Sequence, residues 1–154
     1  MLFIDDKDPG LIPRVLCTIL DSCVNGVTLA DPDMEDLPLV YANKAFAAMT
    51  GYTQEETIGK NCRFLQGTDR EQEERPQIRA AITNKELIEV TLRNYRKNGE
   101  LFYNHLKIIP LFDSHGKVLY YLGVQYDITT QVLEEKEIER LSERLASLTN
   151  SSKS

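Results

Sequence analysis

The chain is poor in the groups from which most catalytic sites are built. Its 154 residues include three cysteines, Cys17, Cys23 and Cys62, and two histidines, His105 and His115. No Cys-x-x-Cys pair occurs, and an odd, unspaced set argues against zinc and for a reducing, cytoplasmic compartment. A cysteine hydrolase needs a histidine base. His115 stands in the turn Asp113-Ser114-His115-Gly116, and His105 alternates to the opposite sheet face from Asn104, so ordinary thiol catalysis is disfavoured. No Gly-x-Gly-x-x-Gly fingerprint is present, which removes the usual signal of a dinucleotide enzyme. No apolar run reaches the length of a membrane span, and the start lacks the basic-then-apolar layout of a leader. Positive charge is scarce as well. Eighteen Lys and Arg against 24 Asp and Glu leave a net charge of -6, without the basic stripe that a nucleic-acid surface requires.

What is present describes one globular domain with a real core: 42% hydrophobic and 27% charged residues. Residues 1–23 read as an acidic arm ending at Pro9-Gly10, followed by an amphipathic helix. Its Ile12, Val15, Leu16, Ile19, Leu20 and Cys23 recur at helical spacing, and Pro13 suits a first turn. The core, 24–128, opens with Asn25-Gly26 turning into a strand over 27–30, then a second strand over 39–41. Asn43 caps a helix that stops at Gly51, and Thr53 with Glu56 has capping-box spacing. A helix is expected over 76–83. Three strands follow. The first (87–95) puts Ile88, Val90, Leu92 and Asn94 on one face, and Arg96-Lys97-Asn98-Gly99 signals a hairpin. The second puts Phe102, Asn104, Leu106 and Ile108 on one face; the third, 117–127, does so with Leu119, Tyr121, Gly123 and Gln125. Residues 129–154 read as a charged helix to about 148 and a disordered tail. Ile138, Leu141, Leu145 and Leu148 form a short coiled-coil seam. The sum is an α+β fold, one antiparallel sheet with helices over one face.

The chemistry gathers at Gly59-Lys60-Asn61-Cys62-Arg63-Phe64-Leu65-Gln66-Gly67, where a single thiol sits among two amides and a guanidinium. Each of the three strands also places a carboxamide on its apolar face: Asn94, Asn104 and Gln125. A buried amide must be paired or it costs about 1–3 kcal/mol per unmet group. Three on adjacent strands suit a planar heterocycle with alternating carbonyl and N–H edges. The bland alternative has Asn94 starting the hairpin turn and Asn104 paired to backbone. Arg63, Arg70, Arg75 and Arg79 offer planar forks for a phosphate, unless they form a solvated face paired with Glu71, Glu73 and Glu74. Cys62 is either an inert core thiol or, being protonated, a nucleophile only toward an exceptional electrophile.

Asn61-Cys62-Arg63-Phe64-Leu65-Gln66 resembles the signature of the LOV domains, flavin-binding blue-light sensors of the PAS superfamily. The likeness continues through Gly51-Tyr52, Ile78-Arg79, Asn94 to Gly99, Phe102-Tyr103-Asn104 and Gly123-Val124-Gln125, covering about residues 24–128. The resemblance implies a five-stranded antiparallel PAS/LOV sheet and no enzymatic activity. It further implies FMN, or FAD or riboflavin in part, bound non-covalently in the dark, with Cys62 adding to flavin carbon C4a under blue light. By that resemblance Gln125 contacts N5 and O4 and relays the signal, and Asn94 and Asn104 hold the pyrimidine edge. Asn61 and Gln66 touch the ribityl chain, Arg63 and Arg79 the phosphate, and Leu106 and Ile108 belong to the cofactor pocket. Arg70 and Arg75 stand where some short LOV proteins carry two further phosphate arginines, which implies a long-lived adduct. Tyr103 replaces a common tryptophan and should point outward. The apolar outer face of the last strand (Val118, Tyr120, Leu122, Val124, Tyr126) and the terminal helices suggest a homodimer. The downstream protein partner is not legible. The rival classes are a PAS sensor for another ligand, a redox flavoprotein and a flavin-dependent enzyme.

Overall fold

The computed structural model describes residues 10–152. The acidic arm expected at the N-terminus lies almost wholly outside them. The first helix, α1 (Leu11–Ser22), is followed by strands β1 (Gly26–Ala30) and β2 (Leu39–Ala42), then short helices α2 (Lys44–Thr50) and α3 (Gln54–Thr57). A 3-10 turn, Cys62–Gln66, leads to α4 (Glu74–Asn84). Strands β3 (Ile88–Tyr95), β4 (Leu101–Phe112) and β5 (Val118–Asp127) precede the last helix, α5 (Thr129–Ser151). The five strands form one antiparallel sheet, as expected, and their order is β2-β1-β5-β4-β3.

Local chemistry fixes the joints. Asn43 caps α2 by accepting from Phe46 N (3.0 Å) and also accepts from Val27 N (2.8 Å). Its Nδ2 donates to Leu20 O (2.7 Å), so one buried amide ties the end of α1 to the core. Gly51 ends α2 in the left-handed region at φ 79°, and Thr53 and Glu56 form the reciprocal capping box. The core is centred on Phe46, 0% exposed, with Leu39 and Leu65 beside it, while Phe102, also 0% exposed, lies under the Arg96 guanidinium. Burying each such side chain stabilises by about 1.5–3 kcal/mol.

Three expectations need correction. Helix α4 starts at Glu74, two residues before Pro76. The ring sits at the third helical position, where its missing N–H would have had no partner in the helix. On β5 the inward residue near the start is Val118, 5% exposed, and Leu119 is turned out at 42%. Leu111 pairs with Tyr120 and Phe112 with Val118, so Leu119 is a bulge that breaks the alternation that placed Leu119 inward and Val118 outward. Finally, α5 runs to Ser151, so the start of the tail expected to be disordered is helical.

Helix α5 buries none of its residues, and Ile138, Leu141, Leu145 and Leu148 are at least half exposed. Its bonds to the sheet, among the described residues, are made near its foot. Ile128 N donates to Tyr103 O (3.0 Å), and Tyr103 N donates to Thr129 Oγ1 (3.0 Å). Lys136 Nζ donates to the Tyr103 hydroxyl (2.7 Å) and lies over its ring. Tyr103 is thus directed outward, where it holds the helix. The helix does not fold back over its own sheet.

Candidate functional site

The Cys62 turn is held over the inner face of the sheet from three sides. Gly59 (φ 90°) and Gly67 (φ 57°) make the sharp entry and exit that a side chain would resist. Gly59 N donates to Leu39 O and Leu39 N to Lys60 O, both 2.8 Å, which locks the entry to β2. Asn61 Oδ1 caps the turn by accepting from Arg63 N (3.0 Å), while Asn61 Nδ2 donates to Asp36 O (2.7 Å). On the exit side, Asp69 takes Arg93 Nε (2.7 Å) and the Tyr95 hydroxyl (2.8 Å). These bonds hold the Asp69 carboxyl down at about 2. Gln72, buried, accepts from Arg93 N (2.8 Å) and donates to Arg93 O (2.9 Å), pairing the open edge of β3 with a side chain.

Between this turn, α4 and the sheet lies a cavity that mixes an apolar lining with a few convergent polar groups, the make-up of a cofactor site. Cys62, Asn61, Arg63, Gln66, Asn94, Leu106, Ile108 and Gln125 of the expected set all line it. Asn104 joins through its Nδ2, which donates to Asn94 Oδ1 (3.0 Å); Asn94 lies inside β3 rather than in the hairpin turn. At the outer end, Arg63, Arg75 and Arg79 border an adjoining basin that shares Asn61 and Gln66. Arg70 borders neither space, and its Nε donates to Gly67 O (2.7 Å). Arg63 pairs with Asp36, and Arg75 donates to Arg70 O, so these arginines are not partnered by the nearby glutamates as the bland reading held.

Burial pushes the Cys62 thiol up to about 12, so at neutral pH it is a neutral S–H facing the cavity. His105 is engaged on the outer sheet face by Thr91 (3.2 Å) and Glu89 (3.2 Å), and His115 stays in its turn. Neither reaches the sulfur. Side-chain oxygens Gln66 Oε1, Asn104 Oδ1 and Gln125 Oε1 are buried without a hydrogen-bond partner among the described residues. Each such group costs about 1–3 kcal/mol, so their concentration here fits a ligand that carries N–H donors and ring edges. The sequence reading missed Thr28, Leu37, Ile82 and Tyr121, which also line the cavity. Thr28 could have been noticed as a hydroxyl on an inward strand position; the aliphatic residues carry no such signal.

The chain belongs to the PAS domain family, whose model matches residues 24–130. It is 45% identical over 115 residues to a blue-light photoreceptor of Listeria innocua, covering 75% of this chain and 45% of that protein. Its fold matches the LOV domain of a blue-light-activated histidine kinase from Erythrobacter litoralis (TM-score 0.65, 43% identity, 68% of this chain and 96% of that one). It also matches an RNA-binding light-oxygen-voltage receptor (TM-score 0.81, 34% identity, 96% and 41%). Within the PAS family this is a bacterial LOV domain. The chain spans less than half the length of the curated relatives described by those first matches.

Proposed function

We propose that this chain senses blue light through a bound flavin and that Cys62 is the thiol that captures the excited chromophore. The observation that carries the reading is one protonated thiol facing a cavity with unpaired amide oxygens on one wall and guanidiniums at its mouth. FMN, or FAD or riboflavin in its place, would supply a blue-absorbing ring whose excited state exposes carbon C4a to the Cys62 sulfur and N5 to its proton, a bond change that reverses in darkness.

The rest is the work of this chain. Cys62 delivers sulfur and proton together, because burial keeps them joined. Asn94, Asn104 and Gln125 hold the polar ring edge, and Asn61 and Gln66 serve the polar chain beyond it. Leu92, Leu106 and Ile108 exclude water from the ring. Arg63, Arg75 and Arg79 hold the phosphate at the mouth; Arg70 supports Gly67 instead. With Arg75 in place, slow dark recovery is expected.

The domain is read as a sensor without enzymatic activity of its own. A homodimer through the outer sheet face and terminal helices is supported by exposed Leu111, Phe112, Leu119 and Tyr120 and by the unburied seam of α5. Three unpaired cysteines fit a reducing cytoplasm. RNA binding belongs to the similar receptor, and a net charge of -6 gives no support for it here.

The test is an absorption spectrum before and after blue light. Wild type should lose its blue band and regain it in darkness, while Cys62→Ala should keep the band throughout. Colourless protein would refute the flavin; yellow protein that never bleaches would make it a redox flavoprotein.

A further inference from the structure

Resting on the reading that the partner of Gln125 in the cavity changes from acceptor to donor under light, we propose that Thr28 is the positioning residue that lets the Gln125 amide turn over. Its hydroxyl serves whichever end of the amide faces away from the cavity.

Gln125 is 0% exposed and Thr28 3% exposed, so neither can turn to water for a hydrogen bond. In the structure Gln125 Nε2 donates to Thr28 Oγ1 at 3.1 Å, and Gln125 Oε1 has no partner among the described residues. That orientation presents an acceptor to the cavity. A glutamine amide rotates about a broad, two-fold last torsion. Turned over, Oε1 takes the place of Nε2 beside Thr28, and Nε2 presents a donor to the cavity. A hydroxyl is the one small group that suits both, because it carries one donor and two acceptor lone pairs. Valine here would leave an amide end buried and unpaired in either orientation, and a carboxamide or charge would favour one of them.

The backbone around the pair leaves room for this and for little else. Thr28 lies opposite Gly123, and Gly26 lies opposite Gln125, on the paired strands β1 and β5. A Cβ at Gly123 would stand 2.5 Å from Thr28 Oγ1 and 3.0 Å from Gln125 Nε2. A Cβ at Gly26 would stand 3.2 Å from Gln125 Oε1 and 3.4 Å from Phe46 Cα. Neither glycine has a positive φ, so both are needed for space and not for backbone conformation. The two bare positions bring hydroxyl and amide into contact and keep a third side chain away from the turning group.

Thr28→Val keeps the shape and removes the hydroxyl; Thr28→Ser keeps the hydroxyl. In FMN-loaded protein held in darkness, infrared spectra with isotope-labelled glutamine isolate the Gln125 side-chain carbonyl by its loss in Gln125→Asn. Thr28→Val should raise that carbonyl frequency, because Oε1 loses its donor, and Thr28→Ser should return it to the wild-type value. After blue light the carbonyl faces the cavity, and wild type and Thr28→Val should coincide. A Thr28→Val carbonyl unchanged in darkness, or a Thr28→Ser carbonyl displaced as far as the valine variant, overturns the proposal. The dark spectrum requires no photochemistry. If wild type failed to bleach, the Cys62 reading would fall while the dark carbonyl shift still decided the role of Thr28.

Discussion

Alkylation of Cys62 as a function of pH isolates the property on which the proposed chemistry depends. An ordinary thiol ionises near 9.0, and burial raises Cys62 to about 12. Below both values the thiolate populations differ by about a thousandfold. At pH 8 roughly one ordinary thiol in ten is ionised, against roughly one in ten thousand at Cys62. Iodoacetamide reacts with the thiolate, so the native Cys62 rate should lie about three decades below that of the denatured chain. Quenched time points, read by peptide mass spectrometry, give the rate at each pH, with exposed Cys17 as an accessible internal reference. The slope separates ionisation from simple blockage. A raised pKa makes the Cys62 rate climb tenfold per pH unit past 9, whereas a merely shielded thiol would be slow yet level off there. A plateau near 9 in the native protein would refute the reasoning. The same step has a sign for stability: between 9.0 and about 12 the folded state keeps a proton that the unfolded chain has shed. Stability from this group is therefore complete below 9.0 and declines as pH rises through that window.

Gly123→Ala should destabilise by about 1–3 kcal/mol, because its methyl would crowd two buried polar atoms; a urea midpoint within error of wild type would contradict this. Gln72→Ala should cost about 1–3 kcal/mol and speed hydrogen exchange at Arg93 N, which it leaves unpaired on the β3 edge; unchanged exchange there would count against the clamp. For the dimer, small-angle scattering should give twice the monomer mass and a different profile after blue light. Ile138→Glu with Leu145→Glu should reduce the mass to that of one chain; the same mass for the double variant would remove the α5 seam from the interface.

Much of this fold was legible because its joints are made by local chemistry. Asn43, Gly51 and the Thr53–Glu56 box each announce a helix end within a few residues of sequence. The three amides were legible for a different reason: a carboxamide on an apolar strand face conflicts with its surroundings, and all three proved buried. The misses share a cause too. Val118 and Leu119 are both aliphatic, so nothing in the residues tells which faces inward once a bulge at Leu119 interrupts the alternation. Arg70 and Arg75 look alike in sequence, yet one points back to its own turn and the other borders the basin. The partnership of Thr28 with Gln125 joins positions 97 residues apart. Threonine is an ordinary strand residue, and only the pairing of β1 with β5 gives it that neighbour.

The attachment of α5 has a mechanical consequence. A helix of 23 residues, rising 1.5 Å per residue, is a rod about 35 Å long, and a tilt of about 10° at its base sweeps the far end through about 6 Å. Its grip on the domain is concentrated at Tyr103, three positions along β4 from Leu106, the residue that faces Gln125 across the ladder. A small tilt at that foot would therefore be read at the far end as a movement as large as a side chain.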